Sequence, residues 1–239
     1  MKVEGRNAVR ETILSGVTIE KVLVSNNLKD KVANDLIALI KQNRIKLQFV
    51  SMENLNKESV TKKHQGFIAF TTEYKYCSVE DILNVAVEKE EPNFILILDE
   101  VADPHNFGSI IRVCECLGVH GIIISKNRSC PVNETVIKTS AGAINYVKIA
   151  KVTNINTEIE RLKKKDIWVY ACELGGINLK VANLRGNIAI VIGSEGFGVS
   201  SLTRKLCDGI VTIDMKGKVN SLNASVATGI VLNEVCNQR

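Results

Sequence analysis

The stretch FILILDEVADPHNFGSIIRVCECLGVHGIII, Phe94 to Ile124, contains two short apolar runs separated by one helical segment. Each run is apolar throughout, which is typical of strands in a parallel sheet that helices cover on both faces. Similar runs follow at Tyr146–Ile149, Ile167–Cys172, Ile188–Ile192 and Ile210–Ile213. The sequence therefore predicts an α/β domain over residues 92–239, with about six parallel strands.

Residues 1–75 predict a separate, smaller α/β unit. Its helices are expected at Arg6–Leu14 and Lys29–Asn43, and its strands at Lys21–Val24, Lys46–Val50 and Gly66–Phe70. Residues 76–91 follow, with five acidic residues and one lysine. We interpret this acidic segment as a linker that contains a short helix beginning at Ser78.

Composition and charge restrict the class of protein. Of the 239 residues 45% are hydrophobic and 24% are charged, as in ordinary soluble domains, and no apolar run is long enough to span a bilayer. With no signal-peptide pattern at residues 1–6, a cytoplasmic protein without membrane contact is expected. The seven cysteines form no C-x-x-C motif, so we expect reduced thiols and no metal site. Residues 1–75 hold 13 Lys and Arg against 8 Asp and Glu, whereas residues 76–239 hold 18 of each, a modest signal for a polyanionic partner.

Arg112 is the unusual residue of the first helical segment. It shares a predicted helix face with the small residues Gly108, Ser109 and Cys116. A cation near the start of a helix opposes the helix dipole, so it needs a negative partner. Glu115 is one candidate partner, and an anion from outside the chain is the other; we favour the second, which makes Arg112 a candidate site residue.

The loop before the helix of Arg112 follows a predicted strand, at the sheet edge where α/β domains bind ligands, and two more loops follow predicted strands in the same way. In Gly193–Gly198 (GSEGFG), three glycines surround Glu195, which permits close approach of backbone to a ligand but disfavours a pyrophosphate. In Asn220–Ser225 (NSLNAS), the polar side chains precede an apolar helix and suit helix capping. A fourth segment, Thr139–Ala143 (TSAGA), has the small residues that close backbone contact requires.

Three of these segments, in order and spacing, resemble the motifs of the SpoU (TrmH-like) family of RNA ribose 2′-O-methyltransferases: Asn106–Arg112, Gly193–Gly196 and Ser221–Ser225. The first domain, with Glu4–Val9 and His64–Phe67, is similar to the RNA-binding substrate domain of the subfamily that modifies a guanosine of 23S rRNA. The resemblance implies S-adenosyl-L-methionine as methyl donor, a homodimer, and a catalytic domain of the SPOUT type, an α/β fold with a deep trefoil knot.

The resemblance also implies roles for individual residues. The catalytic set is Arg112, Asn106, Glu195, Ser221 and Asn223. The cofactor set is Gly193, Ile213 and Leu222, with the backbone of Thr139, Ala141 and Gly142 nearby. Asp214 departs from the family pattern, in which proline commonly follows the strand.

The family proposal makes Arg112 the base that removes the proton of the 2′-hydroxyl. A guanidinium does not release its proton readily, so the alternative is that Arg112 holds the phosphate beside the target ribose and stabilises the developing alkoxide. Two other functions stay open, a tRNA ribose methyltransferase and a non-catalytic RNA-binding relative.

Overall fold

The computed structural model describes residues 2–14, 17–28, 30–71, 74–218 and 221–239. The chain divides into two compact units. The first comprises Met1–Lys75 with Pro131–Glu134, and the second comprises Tyr76–Cys130 with Thr135–Arg239. Within the described ranges, no helix has both the length and the apolar character needed to cross a membrane.

The first unit is a small α/β sandwich. Its elements in chain order are β1 (Lys2–Glu4), α1 (Arg6–Leu14), β2 (Ile19–Ser25), α2 (Lys31–Gln42), β3 (Leu47–Val50), α3 (Met52–Glu58) and β4 (Phe67–Thr71). The sheet order is β1-β4-β2-β3, with β4 antiparallel to β1 and β2, and β2 parallel to β3. Helices α1 and α2 cover one sheet face through Val9, Leu36 and Ile40, and Leu55 of α3 packs on the other face.

The predicted elements of this unit are present with small shifts of their ends. Asp30 accepts a hydrogen bond from the backbone N–H of Ala33 and begins α2 at Lys31; Lys29, where we expected the helix to start, lies outside the described residues. Strand β1 and helix α3 were not predicted. Both are short, and α3 buries only Leu55, so its apolar periodicity is too weak to detect.

The second unit is a parallel sheet with helices on both faces. Its elements are α4 (Val79–Lys89), β5 (Phe94–Leu98), α5 (Pro104–Cys116), β6 (Gly121–Ser125), α6 (Glu134–Thr139), a 3-10 helix (Ala143–Asn145), β7 (Lys148–Val152), α7 (Ile155–Lys163), β8 (Trp168–Asn178), β9 (Ile188–Ile192), α8 (Ser201–Leu206), β10 (Gly209–Thr212) and α9 (Ala224–Gln238). In the described part of the chain, six strands pair in the order β10-β8-β9-β5-β6-β7, and every pair is parallel. The predicted α/β fold with about six parallel strands is confirmed.

The linker predicted at residues 76–91 is corrected. Ser78 and Asp81 form a capping box that begins α4, and Val79, Ile82 and Ala86 of this helix are buried. Val79 and Ile82 belong to the core of the second unit, and Cys77 forms a bridge with Ala150. Acidic residues occupy only the exposed face and the end of α4, so the charge of the segment concealed its apolar face.

Strand β8 is interrupted where it pairs with β10. Ala171 pairs with Ile210, but the next pair is Ile177 with Val211, so residues 172–176 leave the ladder as a bulge. The hydroxyl of Thr212 holds this bulge, since it donates to the carbonyl of Glu173 at 2.5 Å and accepts from the N–H of Gly176 at 2.7 Å. The bulge opens space at the carboxyl edge of the sheet.

Candidate active site

Three predicted catalytic residues from distant parts of the chain form one hydrogen-bond network. The side-chain amide of Asn106 donates to Oε1 of Glu195 at 2.8 Å. The amide of Asn223 donates to the same Oε1 at 2.8 Å and to Oδ1 of Asn106 at 2.8 Å. No hydrogen bond to Oε2 of Glu195 comes from the residues that the structure describes. This carboxylate therefore has one oxygen fixed by two amides and one available to a ligand.

Each member of the network is held by the start of a helix or by a tight turn. Asp103 caps α5 and accepts from the N–H of Asn106 at 2.8 Å, which places Asn106 in the first turn. Asn223 caps α9, where its Oδ1 accepts from the N–H groups of Ser225 and Val226. Because the cap uses Oδ1 of Asn223, its Nδ2 is directed to the network.

The loop from Gly193 to Gly198 is a closed hairpin. The backbones of Ser194 and Gly198 exchange two hydrogen bonds of 3.0 Å, and Gly196 and Gly198 adopt φ values of +89° and +67°. A Cβ built on Gly193 would lie 2.0 Å from the carbonyl carbon of Gly198, so no side chain fits there. The hairpin thus requires these glycines and carries Glu195 near its tip.

A cavity of about 660 Å³ opens beside this hairpin. It lies at the carboxyl ends of β9 and β10 and beside the bulge of β8. It is lined by Cys172, Glu173, Leu174, Ile192, Gly193, Ser194, Glu195, Gly196, Phe197, Gly198, Arg204, Ile213, Met215, Ser221, Leu222, Ala224 and Ala227. The three residues whose side chains or backbone are expected to contact the cofactor, Gly193, Ile213 and Leu222, are all in this lining, as is Ser221.

The structure does not bring Thr139, Ala141 or Gly142 to the lining of this cavity. The turn that contains them packs against α5 instead: a Cβ on Gly108 would lie 2.6 Å from Cβ of Thr139 and 3.1 Å from the backbone N of Ser140. The small residues of this segment accommodate helix packing, with Ala141 and Gly142 at φ values of +50° and +91°. Asn220, the first residue of the predicted loop Asn220–Ser225, lies outside the described residues.

The bulge of β8 adds lining residues that the sequence did not identify. Cys172 and Glu173 follow directly on the buried part of the strand. Burial, with a contribution from the charge of Glu173, raises the pKa of Cys172 to about 11, so this thiol is neutral and a poor nucleophile. Their position at the end of the apolar run Ile167–Cys172 was the available signal, because the carboxyl end of such a strand faces the ligand edge.

Arg112 lies away from the network within one chain. It follows Asn106 by six residues in α5, which corresponds to a rise of about 9 Å. With Val113, Cys116 and Leu117 it lines an open groove whose other wall is α9, at Gly229, Ile230 and Asn233. Among the described residues no carboxylate forms an ion pair with Arg112, Glu115 included. The internal pairing that we considered is therefore not present there.

In the first unit, Glu4–Val9 and His64–Phe67, the two segments that resemble the RNA-binding substrate domain, are in contact. The backbone N–H of Gly5 donates to the carbonyl of Phe67 at 3.1 Å, and that of Arg6 donates to Oε1 of Gln65 at 3.3 Å. Buried His64 accepts from the N–H of Gly66 and contacts Asn56 at 3.0 Å. The segments around Arg6 and His64 thus form one structural feature, with the guanidinium of Arg6 paired to Asp30 at 2.7 Å.

Comparison with known proteins agrees with this architecture. Residues 93–233 match the model of the SpoU rRNA Methylase family, and residues 2–77 match the model described as RNA 2′-O ribose methyltransferase substrate binding. The YacO protein of Bacillus subtilis, whose name places it in the TrmH family of tRNA/rRNA methyltransferases, is 41% identical over 99% of this chain and 95% of its own length. A similarly named Staphylococcus aureus protein is 40% identical over 99% of this chain and 96% of its own.

Solved structures share the fold. The SpoU methyltransferase AviRb from Streptomyces viridochromogenes, in complex with AdoMet, superposes with a TM-score of 0.62 at 22% identity, covering 100% of this chain and 90% of AviRb. The A. aeolicus TrmH/SpoU tRNA modifying enzyme has a TM-score of 0.58 at 28% identity, covering 67% of this chain and 83% of its own. The family-model match spans more than half of the chain, and the relatives align over nearly all of it. This chain therefore belongs to the SpoU/TrmH family of RNA methyltransferases.

Proposed function

We propose that this chain uses S-adenosyl-L-methionine to methylate the ribose 2′-hydroxyl of a guanosine in 23S rRNA, as a cytoplasmic homodimer. One observation carries the proposal: the network of Asn106, Glu195 and Asn223 lies beside a cavity walled by a glycine hairpin. The names of the relatives support RNA methylation, and the basic first unit supports an RNA substrate.

The cavity fits S-adenosyl-L-methionine in size and chemistry. Its volume of about 660 Å³ is within the range of small-molecule sites. Ile213 and Leu222 offer apolar contact for an adenine ring, and Gly193 leaves backbone exposed where a side chain would otherwise stand. When bound, this donor supplies a methyl group activated by a sulfonium. We also propose that the segment before α9 is threaded through the preceding loop to form the trefoil knot, which would place Leu222 beside Gly193.

The network is suited to orienting the acceptor hydroxyl. Oε1 of Glu195 receives both amides, so Oε2 is free to accept from the ribose 2′-hydroxyl. Ser221, in the cavity lining, would hold the ribose from the other side. Fixing donor and acceptor in line accounts for a large part of the rate of such a transfer, since the reacting groups no longer lose orientational freedom in the transition state.

Arg112 requires a second chain to reach such a site. Its groove between α5 and α9 is lined largely by apolar groups, and the nearby side chains of Ile230 and Val226 are 41% and 49% exposed. A second copy packed on this face would cover these side chains and bring Arg112 to the cavity of the partner. There, with its charge unpaired, it would hold the phosphate beside the target ribose and stabilise the alkoxide.

Methyl transfer to defined RNAs tests the proposal. Tritium from labelled S-adenosyl-L-methionine should enter 23S rRNA at a guanosine ribose, and mapping of 2′-O-methyl positions in strains with and without this chain should show the same nucleotide. Labelling of tRNA instead would support the tRNA alternative. Binding of RNA without transfer to either would support a non-catalytic relative.

The guanidinium itself is tested by Arg112→Lys. Lysine keeps the charge but not the fork of donors that grips a phosphate, so turnover should fall while cofactor affinity is retained. Turnover close to that of the unsubstituted chain would contradict the role assigned to Arg112.

A further inference from the structure

Glu173 is a carboxylate in the cavity wall that takes no part in the network of Asn106, Glu195 and Asn223. It lies in the bulge of β8, at the carboxyl edge of the sheet, and the hydroxyl of Thr212 fixes its backbone at 2.5 Å. Its Oε1 lies 2.9 Å from the position that a Cβ on Gly198 would occupy. The carboxylate is therefore held against the glycine hairpin by a built feature of the sheet.

This carboxylate has no hydrogen-bond donor among the residues that the structure describes. Oε2 is buried and unsatisfied, and its nearest cation is the guanidinium of Arg204, with Nε at 3.4 Å. A buried carboxylate oxygen without a donor is unfavourable, because it loses water and gains no hydrogen bond in return. Glu173 thus brings to the cavity wall a carboxylate whose capacity to accept hydrogen bonds is not used by the described residues.

The neighbouring charge indicates which donors these are. Arg204 already offsets the charge of Glu173, and it also lines the cavity, so an ammonium group placed here would meet the guanidinium as a like charge. A neutral pair of O–H donors meets no such repulsion. Acidic side chains that follow parallel strands commonly accept from the hydroxyls of a nucleotide ribose.

We propose that Glu173 accepts hydrogen bonds from the ribose diol of the methyl donor and so selects a ribonucleoside cofactor. The inference rests on the proposed function of the cavity. It makes Glu173 a binding residue, distinct from the network that orients the RNA hydroxyl.

Binding calorimetry with the full-length chain tests this inference without turnover. The probes are S-adenosylhomocysteine, its 2′-deoxy analogue and 5′-methylthioadenosine, which keeps the diol but lacks the amino-acid end. Glu173→Gln should weaken S-adenosylhomocysteine and 5′-methylthioadenosine alike, by about tenfold. The 2′-deoxy analogue should bind the unsubstituted chain about tenfold more weakly than its parent, with little further loss in Glu173→Gln, because both changes remove the same contact.

The controls separate the other outcomes. Lys205→Gln removes an exposed charge of α8 that lies outside the cavity lining, and should change affinity for S-adenosylhomocysteine by less than about threefold. If the loss of binding free energy from Glu173→Gln and the loss from the 2′-deoxy analogue add when the two are combined, the diol contact is overturned. It is also overturned if Glu173→Gln weakens S-adenosylhomocysteine but not 5′-methylthioadenosine. If Glu173→Gln binds S-adenosylhomocysteine and 5′-methylthioadenosine as tightly as the unsubstituted chain does, the proposal is overturned and Glu173 is only the ion-pair partner of Arg204. If the unsubstituted chain binds none of the probes, the proposed function itself fails.

Discussion

The side-chain amide of Asn223 lies 2.8 Å from Oε1 of Glu195, although 28 positions separate the two residues in the chain. Its Oδ1 simultaneously caps α9 by accepting from the N–H of Ser225 at 3.0 Å. One side chain therefore begins a helix with its oxygen and holds a carboxylate with its nitrogen. The helix cap and the candidate site residue, which the sequence offered as alternative interpretations of this loop, are the same residue.

The two roles of Asn223 are separable by substitution. Asn223→Ala should lower the stability of the chain by about 1 kcal/mol through loss of the cap, whereas Asn223→Ser should retain most of it. Both variants lack the amide donors to Glu195 and Asn106, so both should lose about 100-fold in methyl transfer. Thermal unfolding and single-turnover rates measure the two effects. Full activity in Asn223→Ser would contradict the network.

Subunit mixing should show whether Arg112 acts across the proposed dimer. If it does, Arg112→Ala and Asn223→Ala, each with about 1% of normal activity or less when alone, should recover activity when unfolded and refolded together. Random pairing makes half of the dimers mixed, each with one intact site, so activity should reach about a quarter of that of the unsubstituted protein. No recovery, despite mixed dimers in native mass spectrometry, would place Arg112 in its own chain's site.

Gly193 should tolerate no side chain. In Gly193→Ala the methyl group would lie 2.0 Å from the carbonyl carbon of Gly198, so the hairpin must open, and S-adenosylhomocysteine should bind at least about 100-fold more weakly. Gly186→Ala is the matched control, because Gly186 has a φ of +78° with open space around it. It should cost about 1 kcal/mol of stability and leave binding unchanged. Equal binding by both variants would show that the hairpin does not form the cofactor wall.

The first unit should show an acid-dependent stability through Glu4. Although partial desolvation opposes the shift, hydrogen bonds from the hydroxyls of Thr61 and Ser59 and the N–H groups of Val60 and Thr61 lower the pKa of Glu4 to about 2. A carboxylate with a lowered pKa in the folded state stabilises it above the ordinary value of 4.5, and this contribution is lost as the pH falls from about 4.5 to about 2.

Glu4→Gln should therefore be less stable than the unsubstituted chain at pH 7, by about 1 kcal/mol after allowance for solvent screening. The difference should shrink below pH 4.5. Urea unfolding of the full chain between pH 7 and pH 3 measures it, and a difference independent of pH would contradict the assignment to Glu4.

Much of the second unit could be predicted because its strands are apolar at nearly every position. Phe94–Leu98 and Ile188–Ile192 were predicted with the bounds that the structure has. A run of five apolar residues between polar segments is typical of a buried strand and is too short for most helices. A short helix beginning at Ser78 was predicted, but the charge of the segment hid the packing of Val79 and Ile82 into the core. Capping signals are local, whereas burial of Ile82 depends on what packs against it.

The sequence by itself determined the fold class and the sheet-edge loops that carry the candidate site, because apolar patterning is a property of the chain order. Its motifs, through their resemblance to those of the SpoU family, named Asn106, Glu195, Ser221 and Asn223 as candidates. Only the tertiary structure decided that Asn106, Glu195 and Asn223 share hydrogen bonds, that the turn at Thr139 packs against Gly108, and that Glu173 lines the cavity. These relationships depend on strand order and on a bulge between β8 and β10, and pairing across the sheet brings together residues that no local pattern connects.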